Sequence, residues 1–194
     1  MTPLVVIGGG EHARVVIDAI RAQPSTWTLE GFVDPDPCTV TQQRSGIRWL
    51  GSDDEVLRDV AARFFVIGVG AVGVSDARRA IAARYDAAGA RWATIVHPRA
   101  TVSTTARLAP GVVVLANAVI NTGAEVGVHG VINTGAIVEH DVTLGAFAQV
   151  GPGATLGGGV RVGDASYIGL GARVRDHISI GTRATVGMGA VVVG

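Results

Sequence analysis

Every sixth residue from Val96 to Val192 is Val, Leu or Ile, seventeen positions in unbroken register. Those three types make up 53 of the 194 residues, so chance would produce such a run about once in a billion. A period of six fits neither the 3.6 of a helix nor the alternation of a single strand sustained over so long a stretch. It fits a hexapeptide solenoid, in which a short strand and a tight turn recur and the chain winds into a parallel β-helix.

The intervening positions support that reading. The residue after the aliphatic is Gly at 127, 145, 151, 157, 163, 169, 181 and 187, and Asn at 121 and 133. Gly and Asn tolerate positive φ, so these positions are predicted to form the corners. Four places after the aliphatic the chain carries small or β-branched residues, among them Ala118, Ala136, Ala148, Ala154 and Ala172, which suits a thin interior. One coil then takes three hexapeptides, and residues one coil apart stack.

Sixteen acidic residues balance sixteen basic ones, which gives no reason to expect a nucleic-acid or anionic membrane partner. Every basic residue is Arg, and the absence of Lys excludes Schiff-base, P-loop and pyridoxal-phosphate lysine chemistry. Cys38 stands alone and has no internal disulfide partner. The N-terminus lacks a basic region ahead of its short apolar run, and no apolar stretch approaches the length of a membrane span, so a cytoplasmic protein is expected. A three-histidine metal site with two ligands five residues apart has no match among the five histidines, and no metal is expected.

Residues 1–95 read differently from 96–194, and the domain boundary is placed there. Leu4–Ile7 is a strand buried on both faces, followed by Gly8, Gly9, Gly10, Glu11 and His12 and a helical stretch from Ala13 to Arg21. A second strand, Trp27–Asp34, ends in an acid. Helices are predicted at Ser52–Ala62, where Ser52 and Glu55 form a capping-box pattern, and at Ser75–Ala88, with strands at Phe64–Gly68 and Arg91–Val96. The βαβαβ order implies a Rossmann-like parallel sheet. Gly8, Gly10 and Ala13 match the loose G-x-G-x-x-A form, in which glycines admit a phosphate to a helix N-terminus. Asp34 is placed to accept from a ribose or sugar hydroxyl, and Gly68 opens a second glycine cluster on the same sheet edge. The alternative is that these glycines only make a tight strand–helix turn.

His140 lies two places after Val138, outward from the prism, between Glu139 and Asp141. One coil further on is Gly158, within Gly157-Gly158-Gly159, which sets an imidazole beside bare backbone; a solvated surface histidine is the alternative.

With VVIGGGEHARVVIDAI, GFVDPDP, VIGVG, INTGAIVEHDVTLG and GVRVGDASYIGLGARV in order, the chain resembles the bacterial nucleotide-sugar acetyltransferases of the hexapeptide-repeat superfamily, PglD/NeuD type. The resemblance covers essentially the whole chain and implies a left-handed β-helix. It implies His140 as catalytic base, Asp141 as the acid that orients it, and Gly158 as the backbone N–H facing the thioester carbonyl. It implies a groove for the pantetheine arm of acetyl-CoA around Leu170, Gly171, Ala172 and Met188. The loop Gly8–His12, with Asp34 and Gly68, would hold the nucleotide of the acceptor sugar. It further implies a homotrimer with sites between neighbouring prisms.

Two departures are visible. Gln149 stands where many relatives carry a second histidine, able to hydrogen-bond a carbonyl but not to titrate. The chain ends at Val192-Val193-Gly194, where relatives add a segment over the last coil, so an open sheet edge and weaker acetyl-CoA binding are expected. The expected reaction is acetyl transfer from acetyl-CoA to the amine of a UDP- or GDP-linked 4-amino-4,6-dideoxy sugar. O-acetylation of a sialic acid or related sugar, and a non-catalytic nucleotide-sugar-binding solenoid, are the alternatives.

Overall fold

A computed structural model describes all 194 residues, Met1 to Gly194. The chain separates into two compact units, residues 1–70 with 76–95 and residues 71–75 with 96–194.

The first unit is built on a four-stranded parallel sheet in the order β2-β1-β3-β4, with β1 at Thr2–Ile7, β2 at Trp27–Val33, β3 at Phe64–Ile67 and β4 at Arg91–Trp92. Leu4, Val5 and Val6 are fully buried, as an all-apolar strand covered on both faces requires. Helix α1 spans Glu11–Arg21, two residues earlier than its apolar pattern starts, and buries Ala13, Val16, Ile17, Ala19 and Ile20. The chain runs outward from β1 to β2 and then returns to the other side of β1 for β3. The carboxyl ends of β1 and β3 therefore flank a topological switch point, where open α/β sheets place their ligands.

Three expectations for this unit are corrected. The stretch from Ser52 to Ala62 is not one helix. The Ser52–Glu55 capping box is present and starts α3 (Asp53–Val56), but residues Leu57–Ala62 form a 3-10 segment broken at Asp59. None of those six residues is buried, so no apolar stripe holds them in an α-helix. A short helix at Val40–Ser45, here α2, carries no apolar period that would announce it; Thr39 caps it with its hydroxyl on the Gln42 N–H. The helix expected at Ser75–Ala88 is α4, Ala77–Ala87. Finally, the expected strand Arg91–Val96 divides into β4 and β5 (Ile95–Val96), and β5 pairs within a solenoid face.

The second unit is the prism. Seventeen two-residue strands, β5 through β21 (Val191–Val192), stack into three parallel sheets of five, six and six strands. Each strand pairs with the one a full coil later, as in Ile137–Val138 against Thr155–Leu156. The repeat aliphatics and the small residues four places on form one continuous core. Where Ser166 replaces an alanine in the interior, its hydroxyl is satisfied by the Gly181 carbonyl and the Ala184 N–H.

The corners are not where the glycine pattern placed them. Positive φ recurs every six residues from Gly111 to Gly189, three places after each aliphatic, at seven glycines and at Asn117, His129, Asp141, Phe147, Ala165, His177 and Arg183. Hydrogen bonds such as Ala136 N–H to Asn133 O and Ala148 N–H to Gly145 O close β-turns around many of these left-handed residues. The glycines directly after the aliphatic serve another purpose. A Cβ on Gly151, Gly157 or Gly169 would come within 2.8 Å of a backbone nitrogen in the coil above, so these positions are bare to let coils approach. No helix of the chain is long and apolar enough to cross a membrane.

Candidate active site

His140 stands at the corner between β12 (Ile137–Val138) and β13 (Thr143–Leu144), on the outer surface of the prism, with half its side chain exposed. Its Nδ1 lies 3.0 Å from Asp141 Oδ2. The left-handed backbone of Asp141, φ +58°, sets this contact between adjacent residues at the turn. The hydrogen bond to Asp141 raises the imidazole pKa above its ordinary 6.5, with further help from the charges of Asp141, Glu139 and Asp176 against a desolvation effect. With Nδ1 directed to the carboxylate, Nε2 is left as the proton acceptor.

The coil-on-coil stack places Gly158 over His140 as expected. A Cβ on Gly158 would overlap the imidazole, so only glycine leaves the ring its place. The Gly158 N–H, however, is not idle: it donates to Asp176 Oδ1 at 2.9 Å. Asp176 is one further coil up the same column. Counting one more coil would have found it, and its carboxylate occupies the donor that the resemblance assigned to a thioester carbonyl. The same device recurs at another corner, where Asp164 accepts from the Ala146 N–H.

The residues expected around the pantetheine arm divide. Leu170 and Met188 are 50% and 71% exposed and stack in one outer corner column, with Gly171 turning beside them at φ +66°. Ala172 is corrected: its side chain is fully buried in the solenoid core and faces no ligand. It stands on an inward position of the repeat, and the inside–outside alternation excludes it from the groove. Gln149 lies on β14 (Gln149–Val150), between Val131 and Tyr167, on a different face from the strand that leads to His140.

In the first unit, Gly8 carries φ +98°, and a Cβ there would overlap the Val69 side chain. The Gly8 N–H donates to Val33 O and the Gly9 N–H to Asp34 Oδ2 at 2.8 Å. Asp34 Oδ1 accepts from the Asp36 N–H, so this carboxylate braces the loop through both of its oxygens. Thr41, fully buried, completes the brace by donating its N–H to Gly9 O and its hydroxyl to Gly10 O. Gly10 is the N-cap of α1 with no side-chain cap of its own, and Glu11 adds a negative charge in the first turn. Gly68 is buried, donates to Ile7 O, and lies so close to Val6 and Ala13 that it packs β3 against α1. His12 packs on Gly70. Desolvation, then the charge of Arg78, lowers its pKa to about 4. Arg78 is buried in α4, with one guanidinium N–H on Val69 O, and burial lowers its own pKa to about 10. No group of three or more His, Cys, Asp or Glu side chains is placed to hold a metal ion.

Residues 3–85 match the PglD N-terminal domain family. The GDP-perosamine N-acetyltransferase of Caulobacter crescentus, solved as a His→Ala variant with CoA and GDP-perosamine, is 36% identical. It superposes with a TM-score of 0.88 over 100% of this chain and 89% of that one. The chain belongs to the PglD-type sugar acetyltransferases. It is an acyltransferase of the left-handed β-helix class, with acetyl-CoA as cosubstrate. The acetyltransferase domain of PglB from Neisseria gonorrhoeae, in complex with acetyl coenzyme A, agrees: 34% identity, TM-score 0.89, 98% of this chain and 90% of that one. WeeI from Acinetobacter baumannii, 19% identical with a TM-score of 0.76 over 100% of this chain and 97% of that one, shares the fold. Nothing among curated protein sequences matches the chain.

Proposed function

We propose that this acetyltransferase transfers the acetyl group of acetyl-CoA to the amine of a nucleotide-linked 4-amino-4,6-dideoxy sugar, with His140 as general base. The observation that carries the reading is the 3.0 Å contact between His140 Nδ1 and Asp141 Oδ2, at an exposed corner. The relative named for N-acetylation of GDP-perosamine supports nitrogen as the acceptor. The sugar nitrogen attacks the thioester carbonyl carbon, its proton passes to His140 Nε2, and the CoA thiolate departs and is reprotonated. Asp141 stabilises the imidazolium so formed. Positioned base catalysis of this kind contributes typically 10²–10⁴-fold.

The remaining assignments follow the same reading. Leu170, Gly171 and Met188 line the pantetheine arm, and Gln149 offers a hydrogen bond to a carbonyl. Gly158 polarises the thioester once its N–H is exchanged from Asp176. The Gly8–His12 loop receives the diphosphate, with residues 1–95 as the nucleotide-sugar domain and 96–194 as the acyltransferase domain. The assembly is a homotrimer, which light scattering would weigh directly.

The deciding experiment is CoA-thiol release with UDP- and GDP-linked 4-amino sugars, comparing wild type with His140→Ala. Release with an amine acceptor, reduced about 10²–10⁴-fold in the variant, is the expected result. Release only with hydroxyl acceptors such as sialic acids would move the activity to O-acetylation. Release unaffected by His140→Ala would remove the base from the mechanism.

A further inference from the structure

The structure assigns Trp49 as the platform on which the nucleobase of the acceptor stacks; the assignment rests on the nucleotide-sugar reading above.

Residues 48–51 run beside β2 and extend the sheet by one short edge segment. Phe32 N–H donates to Arg48 O, Leu50 N–H to Phe32 O and Asp34 N–H to Gly51 O, with a parallel bridge between Phe32 and Trp49. From this edge the Trp49 indole reaches the carboxyl end of the sheet, where its Nε1 donates to Asp34 O at 2.9 Å. That bond fixes the indole at one polar edge while the side chain as a whole stays 38% exposed. The other two tryptophans are packed inward, Trp27 against Phe64 and Trp92 against Tyr85, at 5.6 and 6.0 Å between ring centroids.

The positions along the carboxyl edge follow the order of a nucleotide. The loop Gly8–His12 ends β1, and the free N–H groups of the first turn of α1 make it the place for phosphate. Asp34 ends the neighbouring strand, and its side chain holds Gly9 while its carbonyl holds Trp49. From β1 to the edge segment is two strand spacings, ~10 Å, which leaves room for a ribose between phosphate and base. Trp49 also borders a cavity of about 320 Å³ with Arg48, Leu50, Gly51, Glu55 and Arg63, within the ~300–1,000 Å³ of small-ligand sites. An exposed indole held by one hydrogen bond offers a flat π surface without the entropy cost of ordering it, and a base of either ring size can stack on it.

Trp49→Ala, Trp49→Phe and wild type are compared by calorimetry with GDP, UDP and, as a probe without a base, inorganic pyrophosphate. Expected is a Kd for GDP or UDP weakened about 5- to 100-fold in Trp49→Ala, largely restored in Trp49→Phe, with pyrophosphate binding unchanged. In wild type the nucleotide also quenches tryptophan fluorescence, and this quench is lost in Trp49→Phe. In kinetics, KM for the nucleotide sugar rises in Trp49→Ala while KM for acetyl-CoA stays. Equal nucleotide affinity in wild type and Trp49→Ala would overturn the platform and leave the nucleotide site standing. Failure of wild type to bind either nucleotide would overturn the nucleotide-sugar reading and this assignment with it.

Discussion

Asp141 answers two demands at one position. Its carboxylate orients His140, and its backbone turns a corner of the prism at φ +58°. A left-handed conformation costs a β-carbon-bearing residue roughly 1–2 kcal/mol, and Asp and Asn bear it better than most. Asp141→Asn therefore removes the charge with little change to the turn, whereas Asp141→Ala would confound the two. The sign of the pH effect follows. The hydrogen bond raises the pKa of His140, so the neutral base is lost as pH falls through a value above 6.5. We expect the acid limb of kcat/KM, followed by CoA-thiol release from about pH 5 to 9, to lie above 6.5 and to move to lower pH in Asp141→Asn. An unmoved limb would mean that a different group titrates. His140, Asp141 and Gly158 were legible because stacking by whole coils is arithmetic. Asp176 escaped only because the count stopped one coil short. The brace formed by Asp34 and Thr41 was not legible, because which acceptor a carboxylate finds depends on the path of a loop that has no period.

At the scale of the element, glycine at one position of the hexapeptide does unequal work in different coils of the solenoid. A Cβ at Gly157 would approach the Asp176 backbone nitrogen to 2.7 Å, whereas one at Gly187 would meet nothing within 4 Å. Gly157→Ala is expected to lower stability by roughly 1–3 kcal/mol, as forced overpacking does, and Gly187→Ala to stay within ~0.5 kcal/mol. Urea midpoints of the two variants check this; similar losses in both would return the cause to backbone flexibility. The glycine row marks neither the corner nor the source of positive φ, which lies two places further on. Sequence records that a Cβ is missing, but not whether torsion or crowding excludes it. Side-chain periodicity made the prism legible down to single positions, while α2 and the 3-10 segment after α3 lie where no apolar stripe exists to be seen.

For the molecule as a whole, His12 sets a limit on acid tolerance. Its folded pKa of about 4 lies below the ordinary 6.5, so between those values the unfolded chain holds a proton that the native chain lacks. Stability contributed by the neutral imidazole is full above pH ~6.5 and falls as the pH drops toward 4, by at most about 3 kcal/mol. His12→Gln, which cannot titrate, is expected to flatten that decline in urea midpoints measured at about pH 5 and 7.5. A decline as steep in the variant would place the acid sensitivity elsewhere.

Strands that pair only with partners one coil away give the second unit something like a reading frame. Removing three whole hexapeptides, such as 104–121, shortens the prism by one coil and leaves every later residue on its own face. We expect that deletion to fold, as judged by circular dichroism and a cooperative melt. Removing a single hexapeptide keeps the aliphatics inside but turns everything beyond the cut by one face, so that a corner such as His140 would point along a different edge. Removing one residue shifts the aliphatics off their inward positions in every coil that follows. In such a unit, insertions and deletions act less like local damage than like frameshifts: their effect depends on length modulo the hexapeptide and modulo the coil.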